Sequence, residues 1–559
     1  MIATHYNLTA EVTISGIEIR FDYSARIIAE IKNLPPDQRF WNNIKKCWVI
    51  AASNYAFADK LVKKYGAPQA EIKNNVEQVY EIPPMPELTV EIPIKRKLYP
   101  FQAQGVAYCL EKEKVIIGDQ PGLGKTSQAI ATIVAKDAFP CLIICPASLK
   151  INWTREWHTV AGMKSVILQS DIKETWPLFY KSGMAKVFIV NYESLKKYFV
   201  KQINNEKGKP IKLADIVFKE NVNLFKSVII DEIHRCKDAG AQWSKFTRGL
   251  TREKSIILGL TGTPLVNVPK DLVSQLGIIG RLQEFGGHKY FMDRYCGGSA
   301  GRGATDLKYL NYKLNTTCFY QRKKKDVLHE LPDKVRQIVY CNISNRREYN
   351  DALNNLAAYL KEYKQKTDKE IQKSLRGEIM VLIGVCKDIS ARGKMEEVQE
   401  QIDEVIDAGE KIVVFIHQKV IAASLRAYYP HAVTVTGGDS GEERQANIDK
   451  FQNDPNCKLI ICSIKAAGVG ITLTAASRVL FVELPWHAAD VEQCEDRCHR
   501  IGQKDSVQCT YVLGKDTIDE QIYEIIERKR AIASTVTGTE DETNTEIIDK
   551  LADSLFSVK

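Results

Sequence analysis

The sequence contains no apolar run approaching the roughly 18 residues that a membrane-spanning helix needs. Its first residues, Met1 to Glu11, lack the basic and then apolar segments of a secretory signal. The 14 cysteines are scattered along 559 residues, which is not the pattern of a disulfide scaffold. These absences indicate a protein of a reducing compartment that has no membrane partner.

Internal repeats and long low-complexity tracts are also absent. Hydrophobic residues make up 44% and charged residues 26% of the chain, which excludes a fibrous or mainly disordered protein. The length corresponds to roughly three to four domains of about 150 residues each. The formal net charge of +9 permits a polyanionic partner without establishing one.

Residues 1–66 are predicted to form a small α+β domain. Alternating apolar residues indicate strands, with Val12 and Ile14 in one strand and Ile17 and Ile19 in the next. Two amphipathic helical stripes and a hairpin rich in aromatic residues follow along the chain. The prolines between residues 67 and 97 are typical of a semi-rigid linker.

From residue 98 onward, short apolar runs alternate with helical stretches, first over residues 98–269 and again over 406–530. Such runs separated by helices predict parallel sheets that are covered on both faces. The range 270–405 between them has a mostly helical pattern. The predicted fold class is therefore α/β, with two parallel-sheet lobes and a helical insertion, preceded by the α+β domain and followed by a polar tail over 531–559.

A glycine-rich segment from Gly118 to Thr126 joins a predicted strand to a predicted helix. Glycines let backbone N–H groups turn toward a phosphate, and the helix N-terminus adds positive potential. Lys125 can reach the β and γ phosphates of a nucleotide, and the Thr126 hydroxyl can ligate Mg²⁺. The strict pattern has a further glycine where this chain has Asp119. The segment predicts an ATP site.

An acidic pair, Asp231 and Glu232, ends the apolar run Val228–Ile230. Such a pair can lie across a parallel sheet from the phosphate loop. Asp231 would then hold Mg²⁺ through water, while Glu232 would orient and deprotonate the attacking water. The pair is followed by Ile233 and His234.

These blocks resemble the Swi/Snf-type ATPases of helicase superfamily two. The segment from Leu98 to Gln102 is similar to the glutamine motif of that family, and 145–156 and 191–193 are similar to its next blocks. The segment from Leu260 to Pro264 resembles the block that couples hydrolysis to lobe movement, and 322–334 resembles the basic segment before the second lobe. The likeness covers residues 98–530 and implies two RecA-like lobes.

In the second lobe, 413–417, 463–474 and 493–503 resemble the remaining blocks, of which the last is the arginine motif. We expect Glu495, Arg497 and Arg500 on one helix, with both arginines on the same face. A guanidinium from the opposite lobe would neutralise charge developing on the γ-phosphate. Such fingers are worth roughly 10³–10⁵ in rate.

The resemblance implies the following site residues. The catalytic residues would be Lys125, Asp231, Glu232, Arg497 and Arg500, and the residues that hold Mg²⁺ would be Thr126 and Asp231. ATP contacts fall on Gln102, Gly122, Leu123, Gly124, Lys125, Thr126, Ser127 and Gly470. DNA contacts fall on Ser148, Asn191, Thr261, Arg322, Lys323, Lys324, Lys465, Thr472 and Trp486.

The N-terminal domain resembles the accessory domain of the annealing helicases in the HepA-related (HARP-domain) branch of this family. The matching residues are Phe21, Ile31, Leu34, Pro35, Phe40, Trp48 and Tyr55. The resemblance implies that this domain engages branched DNA, and it leaves room for a protein partner there. The alternative is a generic small docking domain.

The function that these motifs imply is that of a DNA-dependent ATPase, a translocase on double-stranded DNA that remodels or reanneals it. Two alternatives remain at this point: a strand-separating helicase or motor of a defence or restriction system, and an ATP-gated DNA clamp. No nuclear-import cluster stands out. We expect a cytoplasmic protein of a bacterium or phage, or a nuclear protein if the source is eukaryotic.

Overall fold

The computed structural model describes residues 7–13, 16–43, 45–51, 54–67, 72–74, 81–205, 210–262, 269–296, 306–365, 369–467, 470–485 and 488–533. The chain divides into two compact units, of which the first holds residues 1–120 and 124–322 and the second holds 121–123 and 323–559. All 14 cysteines are buried and unpaired. Among the described residues, no helix combines the length and apolarity needed to span a membrane.

The N-terminal domain is a five-stranded sheet that packs against two helices. Its elements are β1 (Thr9–Thr13), β2 (Gly16–Arg20), α1 (Ala25–Lys32), β3 (Arg39–Asn42), β4 (Cys47–Ile50), α2 (Tyr55–Tyr65) and β5 (Lys73–Asn74). The strand order is β3-β4-β2-β1-β5, and only β5 pairs in parallel with its neighbour. Ile17, Ile19, Ile27 and Ile31 lie in one apolar cluster between sheet and helices.

The sheet extends beyond the predicted boundary at residue 66. Lys73–Asn74 pairs with β1, and Ile72 belongs to the buried cluster. The end of the predicted linker is also bound, because the Lys95 N–H donates to Val160 O at 2.7 Å and Arg96 Nη1 lies 2.9 Å from Glu156 Oε2. The prolines of residues 67–97 predicted a linker, but they gave no sign that residues near both of its ends bind other parts of the chain.

The first lobe is built on a seven-stranded parallel sheet in the order β14-β6-β13-β12-β7-β9-β8. Its elements are α3 (Pro100–Lys112), β6 (Lys114–Ile117), α4 (Lys125–Ala135), β7 (Cys141–Cys145), α5 (Lys150–Ala161), β8 (Ser165–Ile167), α6 (Trp176–Lys181), β9 (Val187–Asn191), α7 (Leu195–Phe199), the hairpin β10 (Val200–Ile203) and β11 (Ile216–Phe218), β12 (Ser227–Asp231), α8 (Gln242–Thr251), β13 (Ile256–Leu260), α9 (Pro269–Ile278), α10 (Gly287–Tyr295), α11 (Leu307–Thr317) and β14 (Phe319–Tyr320). The central strands are buried along almost their whole length, as sheets covered on both faces require.

The second lobe is built on a six-stranded parallel sheet in the order β15-β20-β19-β16-β18-β17. Its elements are α12 (Lys324–Val327), β15 (Lys334–Cys341), α13 (Arg346–Gln365), α14 (Lys369–Gly393), α15 (Met395–Asp407), β16 (Ile412–Ile416), α16 (Lys419–Tyr428), β17 (Val433–Val435), α17 (Gly441–Asn453), β18 (Leu459–Ser463), α18 (Ile464–Ala467), β19 (Arg478–Phe481), α19 (Ala488–Glu495), β20 (Val507–Gly514) and α20 (Ile518–Ala533). The predicted α/β class with two parallel sheets is confirmed. The tail beyond residue 533 lies outside the described residues.

The predicted helical insertion over residues 270–405 is divided between the two sheets. Helices α9 to α11 and strand β14 complete the first lobe, because β14 pairs with β6. Strand β15 joins the second sheet through eight residue pairs with β20. β15 lies at the edge of its sheet, so its residues are half-exposed and partly polar. The sequence analysis missed β15 because it lacks the continuous apolar run of the inner strands.

Candidate functional site

The phosphate loop connects β6 to α4, and its glycines have backbone conformations that suit only glycine. Gly122 has φ +91° and Gly124 has φ +77°. A Cβ at Gly124 would lie 2.3 Å from Gln102 Nε2, so the glutamine of the predicted adenine motif contacts this loop. Gln102 itself is buried, and its Oε1 accepts a hydrogen bond from the Tyr99 N–H at 3.1 Å.

Asp119, which departs from the strict glycine pattern, is completely buried behind the loop. Its carboxylate accepts hydrogen bonds from Gln128 Nε2 at 3.0 Å and from Arg322 Nη2 at 2.5 Å. Its backbone oxygen accepts a hydrogen bond from Lys125 Nζ at 2.7 Å. Asp119 therefore anchors the phosphate loop through its carboxylate, and its backbone oxygen holds Lys125 at the start of α4.

Asp231 lies at the end of β12, enclosed by the first lobe. Trp153 Nε1 donates to Asp231 Oδ2 at 2.8 Å, and Tyr192 OH donates to the Asp231 backbone oxygen at 2.7 Å. Burial raises the pKa of Asp231 to about 7; the charge of Glu232 adds to the rise, whereas the bond from Trp153 and the charge of Lys125 oppose it. Trp153 thus orients the carboxylate and Tyr192 holds the backbone of Asp231, in a site that favours added positive charge.

Glu232 has a left-handed backbone, with φ +55° and ψ +51°. Such strain in a residue other than glycine is characteristic of functional sites. Its Oε2 is buried and accepts no hydrogen bond from the described residues, although His234 Nδ1 lies 3.3 Å away. His234 Nδ1 also lies 3.0 Å from Thr261 Oγ1, and burial lowers its pKa. His234 therefore connects Glu232 to the segment after β13.

The order of the strands brings these groups to one edge of the first sheet. β13 lies between β6 and β12, so Lys125, Thr261 and Asp231 follow three adjacent parallel strands at their carboxyl ends. Asn191 ends β9 and Ser148 follows β7 on the same edge. The catalytic and metal residues predicted in the first lobe, together with Ser148, Asn191 and Thr261, thus lie along a single edge of its sheet.

In the second lobe, the arginine motif contacts the predicted nucleotide and DNA loop. Arg500 Nη1 donates to Ile471 O at 3.1 Å and to Thr472 Oγ1 at 3.0 Å, and Arg497 O accepts a hydrogen bond from the Leu473 N–H at 2.9 Å. The prediction that both arginines lie on one helix is wrong. α19 ends at Glu495, and the residues after it form a turn and a bend.

Glu495 is fully buried and collects several cations of the second lobe. Arg336 Nε and Nη2 each donate to it at 2.7 Å, Lys334 Nζ lies 2.8 Å away and Arg530 Nη2 lies 3.1 Å away. Tyr511 OH also donates to it. Burial alone would raise the pKa of Glu495, but the hydrogen bond from Arg336 and the charges of Lys334 and Arg530 outweigh it and hold the pKa well below its usual range. The start of the arginine motif is therefore fixed electrostatically.

The predicted DNA contacts fall into two groups. Ser148, Lys323 and Lys465 are exposed, and Asn191 and Thr472 are partly exposed, as a DNA contact requires. Thr261 and Lys324 are buried, with Thr261 next to His234 and Lys324 on Asp496 at 2.8 Å. The side chain of Arg322 keeps only 11% exposure and lies on Asp119. The structure therefore does not support DNA contacts at these three positions. Trp486 lies outside the described residues.

Several residues around the site were absent from the predicted set. Gln128 holds Asp119, Trp153 holds Asp231, and Arg96 Nη1 donates to Ser127 Oγ at 3.0 Å. Arg322 was predicted as a DNA contact, whereas its side chain binds Asp119. Trp153 lay inside a block that the sequence comparison had already matched. The partners of Arg96 and Arg322 are distant in sequence, so no local pattern could have identified them.

The SNF2-related domain family matches residues 101–391, and the helicase conserved C-terminal domain family matches residues 393–502. The first match alone covers more than half of the chain. The chain therefore belongs to the SNF2-related family, and it is an ATPase of the DNA-dependent, helicase-like class.

Relatives from animals and bacteria share this region. The SWI/SNF-related matrix-associated actin-dependent regulator of chromatin subfamily A-like protein 1 homolog of Caenorhabditis elegans is 29% identical over 95% of this chain and 77% of its own length. The DNA annealing helicase and endonuclease ZRANB3 of Homo sapiens is 29% identical over 82% of this chain and 42% of its own length. An uncharacterized ATP-dependent helicase of Mycoplasma pneumoniae is 27% identical over 89% of this chain and 48% of its own.

A solved structure, the Sulfolobus solfataricus SWI2/SNF2 ATPase core in complex with dsDNA, is 25% identical and covers 83% of this chain and 98% of that one, with a TM-score of 0.38. The fold assignment rests on the two parallel sheets and on the family match.

ATPases of this superfamily use ATP together with Mg²⁺, and the first lobe has the donors to accommodate both. The hydroxyl of Thr126 and the carboxylates of Asp231 and Glu232 are oxygen donors of the kind that Mg²⁺ prefers. The buried Glu232 Oε2 accepts no hydrogen bond from the described residues, and burial raises the pKa of Asp231, so an added cation would be stabilised there. The residues present fit the nucleotide and its metal.

Proposed function

We propose that this protein is an ATP-dependent translocase on double-stranded DNA that remodels branched DNA or reanneals separated strands. The observation that supports it best is the arrangement at one edge of the first sheet. Lys125, Thr126, Asp231 and Glu232 follow strands of one buried sheet there, and exposed or partly exposed polar residues at the same edge remain available to DNA. The family match extends the proposal to the second lobe.

In the proposed ATP site, Gln102 would recognise the base, while Gly122, Leu123, Gly124, Ser127 and Gly470 would line the nucleotide. Thr126 and Asp231 would hold Mg²⁺, which supplies charge neutralisation for phosphoryl transfer. Lys125 would bind the β and γ phosphates. Glu232 would accept the proton of the attacking water, since its buried Oε2 accepts no hydrogen bond from the described residues.

Arg497 and Arg500 would supply positive charge to the transferred phosphoryl group from the second lobe. Phosphoryl transfer depends on positioning and charge neutralisation more than on covalent chemistry. Because Lys125 belongs to the first lobe and Arg497 and Arg500 belong to the second, hydrolysis would require the lobes to close. Each ATP would then drive one cycle of lobe movement. Repeated cycles would advance the protein along one strand of the duplex.

The DNA contacts that we propose are the exposed or partly exposed residues Ser148, Asn191, Lys323, Lys465 and Thr472. Such contacts go to the sugar-phosphate backbone, so they are insensitive to base sequence and sensitive to salt. Pairing two complementary strands releases about 1.4 kcal/mol per base-pair step. ATP would therefore provide direction and clear obstacles, whereas base pairing itself would drive annealing.

The N-terminal domain would direct the motor to branched DNA. It contacts the first lobe through β3 and α10. Its exposed side chains include the aromatic residues Tyr23, Trp41 and Tyr55. Aromatic rings of this kind can stack on unpaired bases at a junction.

The test compares steady-state ATP hydrolysis by the full-length protein with no DNA and with duplex, single-stranded and forked DNA. We expect the largest stimulation with forked or duplex DNA and little displacement of a strand from a tailed duplex. Efficient strand displacement would favour the alternative of a strand-separating helicase or defence-system motor. Tight DNA binding with negligible turnover would favour an ATP-gated clamp. Turnover that no DNA stimulates would contradict the proposal.

A further inference from the structure

The basic segment from Arg322 to Arg336 contains cations of two kinds. Lys323 and Lys325 are exposed to solvent. In contrast, the side chains of Arg322, Lys324 and Lys334 keep only 11%, 9% and 17% of their exposure, and each lies on a buried or nearly buried carboxylate. A phosphate contact requires a cation that DNA can reach, so these buried cations must serve another purpose.

At its first end, the segment is attached to the phosphate loop through Arg322. The guanidinium donates to Asp119 Oδ1 at 3.0 Å, to Asp119 Oδ2 at 2.5 Å and to Gln128 Oε1 at 2.8 Å. It also donates to Phe101 O, next to Gln102. One side chain thus joins the loop, the first turns of α4 and the start of α3.

The backbone strengthens the same attachment. The Gly118 N–H donates to Tyr320 O at 2.8 Å, the Gln120 N–H donates to Arg322 O at 3.1 Å, and the Arg322 N–H donates to Asp119 Oδ1 at 3.0 Å. Residues 320–322 therefore extend β14 alongside the first half of the phosphate loop. Arg322 is also the last residue of the first unit.

At its other end, the segment is attached to the arginine motif within the second unit. Lys324 Nζ lies 2.8 Å from Asp496 Oδ1 and donates to His499 O at 2.6 Å, and His499 Nε2 lies 2.8 Å from Pro332 O. Lys334 Nζ lies 2.8 Å from Glu495. These bonds fix Asp496, which precedes Arg497, and His499, which precedes Arg500.

Burial makes these pairs costly to break. Burial lowers the pKa of Lys324 to about 8, although the charge of Asp496 opposes this, so the ammonium group stays charged at neutral pH. Removal of one partner from a buried pair leaves the other charge without compensation. A displacement of about 1 Å at a catalytic group can cost on the order of 100-fold in rate.

We propose that residues 322–336 form an internal strap that positions the phosphate loop at one end and the arginine motif at the other. Arg322, Lys324 and Lys334 are positioning residues for ATP hydrolysis and do not contact DNA. The strap depends on the proposed function in one respect only, which is that the phosphate loop and the arginine motif both act on ATP. Because the chain passes from one unit to the other within this segment, the strap also links the two elements covalently.

The test compares Arg322→Gln and Lys324→Gln with the matched control Lys325→Gln, which removes an exposed charge from the same segment. For each full-length variant, the KM for ATP, kcat at saturating duplex DNA and the salt dependence of duplex binding are measured. We expect Arg322→Gln to raise the KM for ATP roughly 10- to 100-fold. We expect Lys324→Gln to lower kcat with a smaller effect on KM. Lys325→Gln should leave KM and kcat unchanged.

The salt dependence separates the strap from a DNA contact. Loss of one phosphate contact reduces the slope of log K against log [salt] by about 1. We expect the slopes of Arg322→Gln and Lys324→Gln to equal that of the wild type. A reduced slope together with an unchanged KM for ATP would overturn the strap. A wild-type protein without DNA-stimulated turnover would instead contradict the proposed function.

Two further variants keep the test decisive if Arg322→Gln unfolds. Arg322→Lys retains the charge but cannot bond two partners in the same way, so it should recover only part of the ATP affinity. Gly105→Ala removes no charge, yet its Cβ would lie 2.8 Å from Arg322 Nη2 and 2.0 Å from Gln128 Oε1. We expect weaker binding of a fluorescent ATP analogue by both variants, and wild-type affinity in both would refute the strap.

Discussion

Glu495 is a fully buried carboxylate on which three cations of the second lobe converge. Arg336, Lys334 and Arg530 come from β15 and α20, which are far apart in sequence. Their combined charge keeps the carboxylate ionised despite its burial. The arginine motif therefore begins at a residue whose ionisation contributes to the stability of the lobe.

This arrangement predicts a specific dependence of stability on pH. The pKa of Glu495 in the folded protein lies below its usual value of 4.5, so its contribution is complete above pH 4.5 and is lost as the pH falls below that value. At pH 7, Glu495→Gln should destabilise the second lobe by about 3–5 kcal/mol, because three cations lose a buried partner that they share.

The measurement is the thermal midpoint of wild type and Glu495→Gln at pH 7 and at pH 3.5. The difference in thermal midpoint between the two proteins should narrow at the lower pH. The Glu495 carboxylate of the unfolded wild type takes up a proton there, whereas that of the folded protein stays ionised. Glu524→Gln, an exposed position on α20, is the control and should match the wild type at both values. An equal difference in thermal midpoint at pH 7 and at pH 3.5 would contradict the electrostatic account.

At the scale of elements, the buried strands and the motifs next to them were predictable. β12 contains the apolar run Val228–Ile230, and the predicted acidic pair begins at its last residue. Elements with weak patterns were missed, namely the two-residue strands β5 and β14 and the edge strand β15. Their positions depend on pairing with distant strands, which periodicity within one segment does not record.

The same reason explains the errors within the site. The types of residue in a motif predict chemistry, so Lys125, Asp231 and Glu232 were predicted from their motifs and from the strands and helix beside them. Whether a basic residue points to solvent or to a buried carboxylate depends on tertiary contacts. Arg322 and Lys323 are neighbours in a uniformly basic run, yet the side chain of Arg322 is largely covered on Asp119 and that of Lys323 is exposed.

The N-terminal domain leads to a prediction at the scale of an element. Because its sheet extends to Asn74, a truncation should remove residues 1–80 and keep the bound segment around Lys95 and Arg96. We expect the truncated protein to retain duplex-stimulated ATP hydrolysis but to rewind forked DNA more slowly. Rewinding is measured by reannealing of a fluorescently labelled fork. Equal rewinding by both proteins would refute a role of this domain in branched-DNA recognition.

For the whole molecule, the proposed mechanism depends on the separation of the charged groups between the two lobes. The first lobe holds Lys125, Asp231 and Glu232, and the second holds Arg497 and Arg500. An arginine supplied to a phosphoryl group contributes roughly 10³–10⁵ in rate, or about 4–7 kcal/mol of barrier. If both lobes contribute to one site, ATP turnover and lobe movement become a single cycle.

The most direct test of this central claim is DNA-stimulated ATP hydrolysis in three single variants, Lys125→Ala, Glu232→Gln and Arg500→Ala. Each removes one charged group of the proposed site, and only Arg500 comes from the second lobe. The account predicts that stimulated turnover is abolished in all three, while the variants remain folded. Wild-type turnover in Arg500→Ala, with loss of activity in the other two, would contradict a site shared between the lobes.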